Sequence, residues 1–110
     1  MDELLAPFAA ACKPRAQWRV GTEAEKFGLL AESLEPLPFV GPRSVQRVLE
    51  LFVERHGWRA EREQPHGDVI ALTRGSSSIT LEPAGQLELS GAPFESIHET
   101  AAELLNFLRN

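Results

Sequence analysis

Residues 78–90 read SITLEPAGQLELS and contain two five-residue segments in which apolar and polar side chains alternate. Such alternation is typical of a β-strand with one buried and one solvated face. The segments are residues 78–82 and 86–90, and the connection between them, PAG, contains two strong turn formers. The spacing predicts an antiparallel hairpin, with a looser connection than a tight turn because Pro83 has no N–H to donate.

The same periodicity extends this hairpin into a larger sheet. A strand at Asp68–Arg74 is predicted before it, across the turn Gly75-Ser76-Ser77. An earlier strand is predicted within Trp18–Leu29, which alternates over its middle and has glycines near both ends. Residues 31–42 contain three prolines and one glycine, and they predict a loop.

Two helices are predicted before the hairpin. Residues Asp2–Ala11 favour a short helix that is interrupted by a proline. Residues Arg43–His56 carry apolar side chains at helical spacing, with Pro42 expected at or just before the first helical position. Gly57 is expected to supply the left-handed cap that ends this helix.

A third helix is predicted at the end of the sequence. Ser96 and Glu99 match a capping box, in which each side chain accepts a hydrogen bond from the other residue's N–H. One apolar stripe follows along the helix, made of Ile97, Ala101, Leu104, Leu105 and Leu108. The expected fold is α+β, an antiparallel sheet with helices on one side.

Composition restricts the functional classes. A chain of 110 residues predicts a single domain, and the net charge of −5 with scattered basic residues argues against nucleic-acid binding. The longest apolar run, Leu4–Cys12, is too short to span a membrane and lacks the basic start of a signal peptide. The single cysteine, Cys12, excludes an internal disulfide, and the expected location is cytoplasmic.

Four glutamates are predicted to share the polar face of the sheet. Glu23 and Glu25 are two apart on the first strand and therefore point to the same side, opposite to Ala24 and to the earlier apolar residues Trp18 and Val20. Glu82 and Glu88 lie on the polar sides of the two hairpin strands. Grouped carboxylates repel one another unless water or cations screen them, and Mg²⁺ binds carboxylate oxygens together with phosphates.

A solvated surface is the alternative interpretation of the same pattern. An antiparallel sheet with one exposed face alternates in this way without any ligand, and glutamate is a common surface residue. The sequence has no glycine-rich phosphate loop, so a nucleotide would have to be held through metal ions on the sheet face. His56, His66 and His98 share no spacing that indicates a zinc site.

Two segments resemble a known enzyme family. Residues 20–28, VGTEAEKFG, resemble the GTExEKFG segment of glutamate–cysteine ligases of the plant and proteobacterial type. Residues 78–93, SITLEPAGQLELSGAP, are similar to the SxxLEPGGQxELSGAP segment of the same family. The resemblance extends from about residue 15 to residue 109, with Ala24 in place of a usual histidine and Ala84 in place of a usual glycine.

The resemblance implies a glutamine-synthetase-like fold and an ATP- and Mg²⁺-dependent ligase that joins the γ-carboxylate of glutamate to the amino group of cysteine, the first step of glutathione synthesis. It implies metal-ligand roles for Glu23, Glu25, Glu82 and Glu88. Gln86 and Arg43 are further candidates for contact with substrate or nucleotide. No catalytic side chain is assigned.

Members of this family are several times longer, so the chain resembles the N-terminal segment of a longer catalytic domain. We therefore expect the isolated chain to be inactive or nearly so. Its expected partners are glutamate, cysteine and ATP, together with the remainder of the ligase or a second copy paired through an open sheet edge. The alternatives are a related γ-glutamyl ligase of ergothioneine biosynthesis and a non-catalytic or accessory fragment that binds metal or nucleotide.

Overall fold

The computed structural model describes residues 3–109 and contains three helices and five strands in that range. The helices are α1 (Ala6–Ala11), α2 (Val45–His56) and α3 (Ile97–Arg109). The strands are β1 (Glu23–Lys26), β2 (Arg59–Arg62), β3 (Val69–Arg74), β4 (Ser77–Glu82) and β5 (Gln86–Ser90). Short 3-10 turns lie at Arg15–Gln17 and Pro83–Gly85. The α+β class is confirmed.

The five strands form one antiparallel sheet in the order β1-β5-β4-β3-β2, so β1 and β2 are its edges. The predicted hairpin, β4 and β5, lies at its centre and pairs Glu82 with Gln86 across a three-residue connection. A single row of apolar side chains crosses all five strands on one face. It consists of Ala24, Leu89, Ile79, Leu72 and Ala60.

The core lies between this face and two helices. Leu49 and Phe52 of α2 and Phe107 of α3 are buried in one cluster with the central row of the sheet. The rings of Phe52 and Phe107 stack with their centroids 6.3 Å apart, so α2 and α3 cover the same side of the sheet. By contrast, α1 has no buried residue. Among residues 3–109, none of these helices has the length and apolarity to span a membrane.

Both ends of α2 follow from its sequence. Ser44 is extended (φ −148°, ψ 167°), and its Oγ accepts a hydrogen bond from the N–H of Arg47 at 3.1 Å. The helix therefore begins at Val45 rather than at Arg43, and Pro42 lies outside it, contrary to the prediction. At the other end, Gly57 adopts the predicted left-handed cap (φ 68°, ψ 24°).

The start of the chain also differs from the prediction. The helix α1 begins at Ala6, so Pro7 lies in its first turn, where a missing N–H leaves no hydrogen bond unmade. The predicted start at Asp2 lies outside the described residues. The first strand is restricted to β1, and Val20 and Leu29 form only isolated bridges. Trp18 and Val20, expected on its apolar side, are exposed, whereas Ala24 packs against the core.

The edge strand β2 was not predicted, because RAER contains one apolar residue and shows no alternation. It forms by pairing with β3, with a register shift between Glu61 and Arg62. The strands β3 and β4 are connected by the two-residue turn Gly75-Ser76, one residue shorter than expected, because Ser77 already pairs with Arg74.

The helix α3 begins with the predicted capping box, in which the N–H of Ser96 donates to Glu99 Oε2 at 3.3 Å. However, the face that it buries is not the predicted apolar stripe. Thr100 and Phe107 are buried, whereas Ile97 is 65% exposed. Two contacts fix this rotation: Thr100 Oγ1 donates to Val20 O at 3.1 Å, and the Lys26 ammonium lies 4.3 Å from the ring centroid of Phe107.

The molecule is elongated for its length. Its radius of gyration is 17.3 Å and its principal extents are 56 × 33 × 25 Å. A compact domain of 100 residues has a radius of gyration of about 13 Å. Many large apolar side chains are exposed, among them Phe8, Phe27 and Leu34. The fold therefore leaves apolar surface that its own residues do not cover.

A carboxylate face as the candidate functional site

The strand register places the four predicted glutamates on one face of the sheet. Glu25 of β1 lies directly opposite Glu88 of β5, and Glu88 lies opposite Thr80 of β4. Residues directly opposite one another point to the same side, as do residues two apart on a strand. Glu23 therefore joins Glu25, and Glu82 joins Thr80, on the face opposite to the core.

Glu88 occupies the centre of this carboxylate group. Its partial burial raises the pKa of its carboxyl above the ordinary value, because water is removed from the charged form. A hydrogen bond with Glu25 and the negative charges of Glu82, Glu23 and Glu25 raise the pKa of Glu88 further. All three other glutamates are thus near enough to act on Glu88. Glu23 and Glu25 lie on β1 and Glu82 lies on β4, the two strands on either side of β5.

Two hydroxyl groups orient the carboxylates. Thr80 Oγ1 donates to Glu82 Oε1 at 3.0 Å, and Ser90 Oγ donates to Glu88 Oε1 at 3.4 Å. Each of these bonds occupies one oxygen of its carboxylate, and the second oxygen of Glu82 is left for another ligand. The face therefore presents several carboxylate oxygens at defined positions.

The donor set has the chemistry of a magnesium site but not the geometry of a closed cage. In the part of the chain from residue 3 to residue 109, no three Asp, Glu, His or Cys side chains converge closely enough to hold a metal ion. Mg²⁺ needs only one or two protein carboxylates, since water and phosphate oxygens complete its octahedron. The four glutamates fit that requirement, and their role as ligands stays a prediction.

A cleft of about 320 Å³ adjoins this face where β1 begins and β5 ends. It is lined by Gly21, Thr22, Glu23, Ser90 and Gly91. The N–H of Gly91 donates to the carbonyl of Thr22 at 2.7 Å and extends the pairing of the two strands beyond Glu23 and Ser90. The cleft thus lies beside one of the predicted ligands, Glu23.

Glu103 of α3 fixes the wall of this cleft, and sequence reasoning gave it no role. Its carboxylate accepts hydrogen bonds from the N–H of Ala92 at 3.0 Å and from Ser77 Oγ. A Cβ at Gly91 would overlap with Glu103 Oε2 and would lie 3.0 Å from the Thr22 carbonyl, so only glycine fits there without a shift. Glu103 is three residues after Thr100 and four before Phe107, so it lies on the buried side of α3, which the sequence alone did not identify.

The two candidate contact residues lie in different places. Gln86 pairs with Glu82 and shares the carboxylate face. Arg43 lies in the loop before α2 and forms an exposed ion pair with Glu32 at 3.1 Å. Among the hydrogen bonds and ion pairs of residues 3–109, none joins Arg43 to the four glutamates. The structure therefore brings Gln86, but not Arg43, together with the predicted ligands.

The chain matches the family model of glutamate-cysteine ligase family 2 (GCS2) over residues 19–110. It is 41% identical over 107 residues to glutamate–cysteine ligase B, chloroplastic, of Oryza sativa subsp. japonica, and this match covers 97% of the chain and 21% of the relative. It is 42% identical over 108 residues to glutamate–cysteine ligase, chloroplastic, of Brassica juncea, covering 97% and 20%. It is also 41% identical over 108 residues to glutamate–cysteine ligase, chloroplastic, of Arabidopsis thaliana, covering 97% of the chain and 20% of the relative.

The chain therefore spans about a fifth of the length of these relatives. The resemblance that the two sequence segments indicated is confirmed. The cytoplasmic location expected from the single cysteine and the lack of a signal-peptide start was wrong, since the matching plant relatives are chloroplastic proteins. Neither feature carries information that separates these two compartments.

Proposed function

Because the chain belongs to glutamate-cysteine ligase family 2, we propose that it supplies one wall of an active site that joins the γ-carboxylate of glutamate to the amino group of cysteine, with ATP and Mg²⁺. The observation that carries the proposal is that Glu23, Glu25 and Glu82 surround Glu88 on one sheet face. A merely solvated face has no need to bring like charges directly opposite one another, as Glu25 and Glu88 are.

In the proposed reaction, a γ-carboxylate oxygen of glutamate attacks the γ-phosphorus of ATP, and ADP leaves. The cysteine amine then attacks the acyl carbon of the acyl phosphate, loses a proton and displaces inorganic phosphate. Magnesium would neutralise the charge of the transferred phosphoryl group. Glu23, Glu25, Glu82 and Glu88 would hold the metal through carboxylate oxygens, with the hydroxyls of Thr80 and Ser90 orienting two of them.

Gln86 is proposed to donate its side-chain amide to an oxygen of the substrate or nucleotide, because it shares the face with the carboxylates. For Arg43 to contact an anionic substrate, its ion pair with Glu32 has to open. That pair is exposed at both side chains, so opening it costs about 1 kcal/mol or less.

The chain is proposed to need further polypeptide for catalysis. It matches about a fifth of its relatives, and its carboxylate face is open to solvent rather than enclosed. Phosphoryl transfer from ATP requires positive groups and the exclusion of water around the transferred phosphoryl group. An open wall of carboxylates supplies neither, so we expect the isolated chain to be inactive.

The proposal is tested by placing the chain in a complete enzyme. The matching segment of the Brassica juncea ligase is replaced by this chain, and ATP-dependent formation of γ-glutamylcysteine is measured. Glu88→Gln should reduce metal affinity at least about tenfold, as loss of a ligand or its close partner does. Glu61→Gln is the control, since Glu61 lies on the same face but at the far edge of the sheet, opposite Ala71.

Activity in the chimera that is lost with Glu88→Gln and kept with Glu61→Gln supports the proposal. An active chimera in which both variants behave alike would contradict the metal-ligand roles. Comparing cysteine with other amines as the second substrate would identify the amine, and a preference for a different amine would overturn the assignment of cysteine.

A further inference from the structure

The apolar side chains of α3 form a wide arc, and only one edge of this arc is covered. The covered edge carries Thr100 and Phe107, which are buried against the sheet and α2. The rest of the arc carries the apolar stripe that the sequence predicted. Its members are Ile97, Ala101, Leu104, Leu105 and Leu108, all exposed except the half-buried Leu104.

The exposure of this stripe, which we call the outer stripe of α3, is unusual for a surface helix. A surface helix of a globular protein has one apolar face and a polar face opposite to it. The outer stripe runs from Ile97 to Leu108 and is about 17 Å long at a rise of 1.5 Å per residue. A helix whose apolar arc extends beyond the elements that cover it is typical of a position between two layers of a larger protein.

We propose that the outer stripe of α3 is covered by polypeptide that corresponds to the remaining four fifths of a family ligase. The chain matches only about a fifth of the length of its relatives, so most of such a ligase has no counterpart in it. The elongated shape, with a radius of gyration of 17.3 Å, agrees with a layer that lacks its neighbour. This inference rests on family membership and not on the proposed metal site.

Charge argues against a lipid surface as the occupant. Helices that lie on membranes are rich in Lys and Arg on their polar face. The only such residue in α3 is Arg109, and the helix also contains Glu99 and Glu103. The outer stripe therefore fits an apolar protein surface better than an anionic membrane.

The sequence offers a matched pair of substitutions for the test. Ala101 belongs to the outer stripe, whereas its neighbour Ala102 points about 100° away around the helix. Both alanines are exposed in the second turn of α3, so Ala101→Gln and Ala102→Gln have the same intrinsic effect on the helix. Each variant is made in the isolated chain and in the chimera with the Brassica juncea ligase.

In the isolated chain, both variants should melt within about 1 °C of the parent, because both sites face solvent. In the chimera, Ala101→Gln should lower the melting temperature by about 2 °C or more, and Ala102→Gln should not, because only Ala101 would be buried. Equal effects of the two variants in the chimera would overturn the proposal. So would a chimera that yields no folded protein.

Light scattering of the isolated chain tests the competing occupant. A monomer in both the parent and Ala101→Gln agrees with the proposal. If the parent is a dimer and Ala101→Gln is a monomer, a second copy of the chain covers the outer stripe, and this result would contradict the proposal. Loss of ligase activity with Glu88→Gln leaves this result untouched, because Glu88 lies on the other side of the sheet from α3.

Discussion

Gly91→Ala is predicted to disrupt the junction between the carboxylate face and α3. The added Cβ would overlap with Glu103 Oε2, which already accepts the N–H of Ala92 at 3.0 Å. On its other side, the Cβ would lie 3.0 Å from the carbonyl of Thr22, which accepts the N–H of Gly91 at 2.7 Å. Because the strand pairing holds Thr22, the carboxylate of Glu103 has to move.

The cost follows from the hydrogen bonds that Glu103 would lose. A hydrogen bond to a charged group contributes about 1.5–3 kcal/mol, and the N–H of Ala92 would be left without its acceptor. Gly91→Ala should therefore lower the free energy of unfolding by about 2–3 kcal/mol. In urea this corresponds to a midpoint about 1–2 M lower with an unchanged slope.

A double-mutant cycle with Glu103→Ala isolates the cause. Without the Glu103 carboxylate, Gly91→Ala should cost about 1 kcal/mol or less, so the coupling free energy should be about 1–2 kcal/mol. Gly21→Ala is the control, because a Cβ there would meet its nearest atom, Gly91 O, at an ordinary 3.4 Å. If the effects of Gly91→Ala and Glu103→Ala add within about 0.5 kcal/mol, the proposed contact is refuted.

Three further changes have defined outcomes. Ala84 has a left-handed backbone (φ 64°), so Ala84→Gly should stabilise the chain by about 0.5–1 kcal/mol in urea unfolding, and a loss of stability would contradict the turn geometry. Ser44→Ala removes the cap of α2 and should cost about 1–2 kcal/mol; no change in thermal unfolding would contradict the capping role. The pKa of Glu88 is raised in the folded chain, so ionisation of Glu88 destabilises the fold. In the presence of a chelator, the stability of the wild type relative to Glu88→Gln should therefore fall as the pH rises from the ordinary pKa of 4.5 through the raised pKa. Parallel pH profiles from thermal melts would refute that prediction.

The face assignment of the carboxylates could be predicted because it depends on local periodicity. The alternation in residues 78–90 determines which side chains point together, and the observed register adds only the strand order. By contrast, β2 has no periodicity of its own and forms through its pairing with β3. The prediction that α2 begins at Arg43, with Pro42 at or just before its first position, was wrong because Ser44 caps the helix and Val45 is its first residue.

The buried side of α3 could not be predicted from its sequence. The helix has two candidate faces, and the more apolar one is exposed. The choice depends on long-range contacts, namely Lys26 with Phe107 and Thr100 with the carbonyl of Val20, each joining residues 80 or more positions apart. The role of Glu103 was missed for the same reason, because its partner Ser77 lies 26 residues away.

The position at which a divalent cation binds on the chain decides whether the carboxylate face is a metal site. Mn²⁺ is titrated as a paramagnetic substitute for Mg²⁺, and the broadening of backbone amide NMR signals is recorded for the wild type and for Glu88→Gln. We expect selective broadening around Glu25, Glu82 and Glu88, reversal by excess Mg²⁺, and loss of the effect in Glu88→Gln. Broadening that is uniform over all exposed carboxylates, including Glu61 at the far edge of the sheet, would contradict a metal site on this face.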